Sequence, residues 1–243
     1  GQQRIGGRDN VLSVSILGLP TWAHGKSERY IQEVLRSVIR KHSNPPDELE
    51  KLFIKWGLKF GIRPDVLAAI SMLETGWWHF GGNVTAGMNN PAGIRCKCNE
   101  EPTACRMGKN NEMYRAYPTL DQGVAHFAAH LYCYTHAQDS AGAQQYDPCW
   151  ATWYYPTLQK ASQYGLAPDS IDACYSMWRD GVLPPTTGGQ QAIASIKSIV
   201  EEFERSADGI IVKPDPTVPS WLLPIGLGLL AILLWQGGQS DGK

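Results

Sequence analysis

The sequence predicts a mainly α domain with a small β-hairpin lobe, followed by a further C-terminal helix and a transmembrane segment. Three observations carry that expectation. Apolar residues recur at helical spacing in several successive stretches. Residues 90–117 break that rhythm and end in the strand-like run Met113-Tyr114-Arg115-Ala116-Tyr117. Residues 221–235 form a charge-free run rich in Leu, Ile and Gly.

Taken in order, residues 1–26 form an N-terminal arm, and its apolar part, 11–19, is too short and polar for a signal peptide. Ser27 caps a helix reaching about His42, with Ile31, Val34, Leu35, Val38 and Ile39 on one face. Asn44-Pro45-Pro46 breaks it. A second helix runs from about Asp47 to Phe60, with Leu49, Leu52, Phe53 and Trp56 inward, and Gly61 ends it. Pro64 opens a third, because its missing N–H is unsatisfied in a first turn anyway. Val66, Leu67, Ile70 and Leu73 form its stripe, and Gly76 stops it in a left-handed turn. An aromatic and glycine loop and an Asn-Asn-Pro turn follow. Residues 92–94 are expected to pair with 113–117, with a cysteine-rich insert at the tip. Thr119 and Gln122 make a capping box for a helix reaching about His136, with Val124, Phe127 and Leu131 inward. Residues 146–180 read as short helices rich in Trp and Tyr. Residues 184–189 read as a linker and 190–208 as an amphipathic helix on Ile193, Ile196, Ile199, Val200 and Phe203. A Pro-rich spacer over 209–220, a membrane anchor over 221–236 and a tail over 237–243 complete the chain. As helix, 221–235 spans about 22 Å, and flanking residues bring it toward the lower limit for a span. A tryptophan at each end suits a membrane interface.

The composition excludes one class of partner. Lys and Arg number 22 against 23 acidic residues, so nothing marks a nucleic-acid binder. Nine Trp and ten Tyr supply faces on which sugars can stack. Six cysteines (Cys96, Cys98, Cys105, Cys133, Cys149 and Cys174) are an even set and suit disulfides. Cys96, Cys98 and Cys105 with His130 or Cys133 also make a zinc set, and buried free thiols are a third reading. His126 and His130 share a helix face at metal-ligand spacing. The reading taken is that the chain uses no metal and no cofactor.

Glu74 is the candidate for chemistry. It ends the third helix, where the helix dipole disfavours a further anion. Trp77, Trp78 and Phe80 follow and would strip water from it. Both effects favour the neutral acid, so a raised pKa is expected. A carboxylic acid protonated near neutral pH is what protonation of a glycosidic leaving oxygen requires.

The ordered pieces Gly61-Ile62-Arg63-Pro64, Leu67 to Glu74-Thr75-Gly76, Asn89-Asn90-Pro91-Ala92-Gly93-Ile94 and Tyr114-Arg115-Ala116-Tyr117 make a pattern. It resembles the glucosaminidase family of peptidoglycan hydrolases over roughly residues 48–180. It departs from that family at Pro91-Ala92 and in the cysteine-rich insert. The resemblance implies a lysozyme-like domain over 27–183, peptidoglycan glycan strands as partner, and hydrolysis of a β-1,4 bond beside N-acetylglucosamine. It implies Glu74 as general acid and Glu101, from the lobe, as second carboxylate. Glu100, Glu112 and Asp121 are alternatives, as is the substrate's own acetamido group. A cleft tyrosine is expected at Tyr146, with Tyr154 and Tyr155 as alternatives. Substrate contacts are expected from Trp77, Asn90, Tyr117 and Tyr154. The rivals are a lytic transglycosylase, which needs a single acid, and a non-catalytic membrane-tethered wall-binding protein. An anchor over 221–236 places the protein on a membrane, in the cell envelope or in a phage virion with virion proteins as partners.

Overall fold

The computed structural model describes residues 13–80, 82–96, 104–147 and 151–211. The first helix, α1 (Glu28–His42), begins where Ser27 Oγ accepts from Tyr30 N, and Ile31, Val34, Leu35, Val38 and Ile39 are all buried. α2 (Leu49–Phe60) ends at Gly61 in the left-handed region. α3 (Pro64–Thr75) is buried along most of its length and ends at Gly76, again left-handed, with φ 59°. α4 (Leu120–Thr135) is capped by Thr119, whose hydroxyl accepts from Gln122 N at 3.2 Å. α5 (Ala151–Leu158) and α6 (Ile171–Asp180) follow, and α7 (Thr187–Ala207) closes the order. α3 is central: α2 and α7 pack on it, and α7 also crosses α1 and α6.

Residues before α1 lace the helical ends together. Ile16 N donates to Asp169 O and Arg63 N to Ile16 O, so this strand ties the turn before α3 to the turn before α6.

The hairpin differs from the expected one. β1 (Cys105–Met107) pairs antiparallel with β2 (Met113–Arg115), with Arg106 opposite Tyr114. The expected partner, 92–94, lies on the other side of β2 at one residue's remove: Arg95 bridges Tyr114, and Arg115 N donates to Ile94 O. Gly108 and Asn111 turn the hairpin, so the tip is at 108–112, and the insert precedes it. Cys96 and Cys105 are disulfide-bonded, which removes both from any zinc set. Cys133 is also disulfide-bonded, and Cys174 is free and buried.

Two further expectations are corrected. The linker ends earlier than 189, because Thr186 Oγ1 accepts from Gly189 N and the helix starts at Thr187. The fold class holds as mainly α with a two-stranded sheet, but without a transmembrane element: among the described residues no helix is long and apolar enough to cross a membrane. The stretch 221–236 lies outside the described residues.

Candidate active site

Glu74 lines a cavity of about 310 Å³ whose walls come from six further parts of the chain. Its position follows from the packing of α3. Ser71, one turn earlier, donates its hydroxyl to Pro91 O at 2.6 Å, and Trp78 Nε1 donates to the same hydroxyl oxygen at 3.0 Å. These bonds fasten the end of α3 to the Asn-Asn-Pro turn. The turn is held in its own right by Asn90. The buried Asn90 amide donates to Ile94 O and Arg115 O and accepts from Ile94 N. Gly93 then faces the acid in the left-handed region, φ 64°, and a Cβ there would lie 3.5 Å from Glu74 Oε2.

α6 supplies the opposite wall. The Tyr175 hydroxyl donates to Glu74 Oε1 at 2.6 Å, and Trp178 and Arg179 line the cavity beside it. Burial pushes the Glu74 carboxyl above its ordinary range. The Tyr175 bond, the Arg179 charge, Trp178 and Arg95 pull the other way without cancelling that effect. Oε1 accepts from Tyr175, and Oε2 faces Gly93.

The aromatic residues that follow Glu74 do not line its cavity. Trp77 packs on His42, ring centroids 4.3 Å apart, and Trp78 packs toward Phe53. Trp77, Trp78 and Phe80 all sit in the left-handed region, with φ between 50° and 60°. Such backbone costs ~1–3 kcal/mol per residue and is held here by the packing of the rings.

α4 adds a polar cluster. Asp147 Oδ2 accepts from His130 Nδ1 at 2.7 Å, and Asp147 Oδ1 lies 3.4 Å from His126 Nε2. Burial raises the Asp147 carboxyl, yet bonds from both histidines and their charge outweigh it and hold it well below the usual carboxylate range. The ligand atoms of these three residues lie within 4.8 Å of one another, close enough to hold a metal ion. The next neighbour argues against that use. Arg115 Nη1 approaches His126 Nδ1 at 3.4 Å, and a guanidinium only donates, so Nδ1 is the acceptor. The ring hydrogen then sits on Nε2, toward Asp147, where a metal would need a lone pair. The guanidinium beside the ring also repels a cation.

The other sequence-derived candidates are dispersed. Tyr154, on α5, lines the cavity. Tyr146 does not: its ring packs on Trp56 and Phe60, and its hydroxyl accepts from Lys59 Nζ. Asn90 is buried and spent on the backbone, so it shapes the wall without facing the cavity. Tyr117 sets its ring edge-on to His126, one layer behind the cavity wall. Glu101 and Glu100 lie outside the described residues. Glu112 pairs with Arg95 at 2.9 Å, and Asp121 is bound by Lys55 and Trp56; neither lines the cavity. Tyr175, Trp178 and Arg179 were not singled out from sequence. Their spacing of three and four on one helix puts them on one face, which was the available signal.

No curated protein and no solved structure matches the chain. One family model does: Glucosaminidase, described as mannosyl-glycoprotein endo-beta-N-acetylglucosaminidase, over residues 50–179. That span is more than half of the chain and runs from the start of α2 to the Trp178-Arg179 wall of the cavity. It contains Glu74, the Asn-Asn-Pro turn and β2 in the order that the resemblance required, and it also spans the histidine cluster. The chain belongs to the glucosaminidase family of peptidoglycan hydrolases.

Proposed function

We propose that this cavity hydrolyses β-1,4 glycosidic bonds beside N-acetylglucosamine in peptidoglycan, with Glu74 as general acid. The observation that carries the proposal is the state of Glu74. It is a carboxyl in a cavity, raised by burial, with one oxygen fixed by Tyr175 and the other turned toward Gly93. That arrangement delivers a proton from one defined direction. The half-buried rings of Trp178 and Tyr154 offer faces for pyranose stacking, and Arg95, Arg115 and Arg179 offer donors for sugar oxygens.

Mass spectrometry of digested cell wall tests this reading. Reducing-end N-acetylglucosamine is the expected product, and Glu74→Gln abolishes its release. An anhydro end would assign the chain to lytic transglycosylases instead. Release that is unchanged in Glu74→Gln would remove Glu74 from the reaction.

A further inference from the structure

Asp147, His130 and Tyr134 share the cavity with Glu74 and have no part in the acid step. The Asp147 side chain is 3% exposed, and both its oxygens are engaged by histidines. A carboxylate so held cannot itself attack a sugar carbon. It acts through a ring that it orients.

The two rings differ. His126 is closed on its far side by the Arg115 guanidinium, so a second proton there would place two cations together. Among the described residues, the ring nitrogens of His130 are bonded by Asp147 and Tyr134 and not by a guanidinium. Its Nδ1–H donates to Asp147, so the neutral ring keeps a lone pair at Nε2. The Tyr134 hydroxyl lies 3.2 Å from Nε2 and within reach of the Tyr154 hydroxyl, so its one hydrogen can serve either the oxygen of Tyr154 or Nε2 of His130. The Tyr134 oxygen keeps its own lone pairs, and both residues line the cavity. The Trp178 ring stands edge-on to His130, centroids 5.0 Å apart, and fixes its plane. Tyr154 packs against the rings of both His130 and Tyr134.

Resting on the glycosidase reading above, we propose that Tyr134 and His130 form the proton-accepting arm of the reaction, with Asp147 as the residue that positions it. A water oxygen bonds to the anomeric carbon as the bond from that carbon to the leaving sugar oxygen breaks. The Glu74 proton passes to the leaving oxygen. The proton lost by the water passes to the Tyr134 oxygen as Tyr134 gives its own to His130 Nε2. The imidazolium formed is held by Asp147 while Glu74 becomes the anion. Return of the proton from His130 to Glu74 through solvent restores the enzyme.

The experiment measures turnover on purified peptidoglycan for Glu74→Gln, His130→Ala, Tyr134→Phe and the His130→Ala/Tyr134→Phe double variant of the full chain, with thermal melts of each. General-base groups contribute about 10²–10⁴-fold, so His130→Ala and Tyr134→Phe are each expected to lose ~100-fold or more in kcat. Added imidazole is expected to restore at least tenfold of that loss in His130→Ala, which a purely structural role would not allow. The double variant is expected to lose no more than the worse single, because the two act in one chain. His130→Ala within threefold of wild type, or a loss that imidazole does not touch, overturns the proposal. If His130→Ala does not fold, Tyr134→Phe decides, since it removes one hydroxyl: full activity overturns the arm. Activity surviving in Glu74→Gln would instead sink the glycosidase reading itself.

Discussion

Tyr175 donates its hydroxyl hydrogen to Glu74 Oε1 across 2.6 Å, from a helix 101 residues further along the chain. The bond favours the ionised carboxylate, while burial of the same group favours the acid and prevails. Tyr175 therefore moderates the acid it touches. In Tyr175→Phe that moderation is lost, and the Glu74 pKa rises further. A general acid must hold its proton, so activity is lost as pH rises through that pKa. The alkaline limb of the kcat/KM profile is expected to move to higher pH in Tyr175→Phe. A limb that stays in place or moves down would contradict the geometry.

Glu74 should be costly to the fold. Its native pKa lies above the ordinary 4.5, so the native state binds the proton more tightly than the unfolded chain. Stability then falls as pH rises from 4.5 through the native pKa and stays lower above it. Glu74→Gln carries no charge at any pH. It is expected to melt higher than wild type at pH 7, with the difference closing below about pH 4. The same variant is expected to lose ~100-fold or more in turnover. A lower melting temperature at pH 7 would show that the carboxylate stabilises the fold.

Asp147 has the opposite sign. Its native pKa is held far below the ordinary 3.8, so its contribution is complete above 3.8 and fades as pH falls toward the native value. Asp147→Asn leaves buried ring N–H groups with a weaker acceptor. It is expected to cost about 1–3 kcal/mol at pH 7 by denaturant melts. The gap to wild type is expected to shrink when the melts are repeated at pH 3.

Gly123 tests how α4 and the Asn-Asn-Pro turn meet. A Cβ there would lie 1.9 Å from the Asn89 carbonyl oxygen, a backbone atom that cannot rotate away. Gly123→Ala is expected to cost about 1–3 kcal/mol. It should also lower activity, because the turn it pushes carries Gly93 against Glu74. Gly82→Ala, which meets nothing within 4 Å, is the control and should leave activity unchanged.

Much of the scaffold was legible because it is local. The stripe from Ile31 to Ile39, the caps at Ser27 and Thr119 and the left-handed stops at Gly61 and Gly76 are all written within a turn or two of themselves. Glu74 and the rise of its pKa were legible in the same way, from one helix end. Its cause, loss of water around the carboxyl, was legible too, but not the residues that line its cavity. Trp77 and Trp78 are adjacent in sequence, but left-handed backbone turns their rings onto α1 and α2, while Tyr175, Trp178 and Arg179 of α6 stand beside the acid. Hairpin register escaped because 94–96 and 105–107 both border β2, and sequence alternation does not say which one pairs along its length. Asn90 was read as a ligand for sugar; a buried Asn with four backbone groups in reach serves the loop first.

The family match stops at residue 179, but the support of the acid-bearing helix does not. Ile193, Ile196, Val200 and Phe203 of α7 are buried in the common core, and α7 packs on α3 without lining the cavity. A fragment cut at the edge of the homology would strip that cover and expose an oily flank of the helix that carries Glu74. Expression designs that trim the chain for crystallisation or enzymology should therefore retain everything through Ile210.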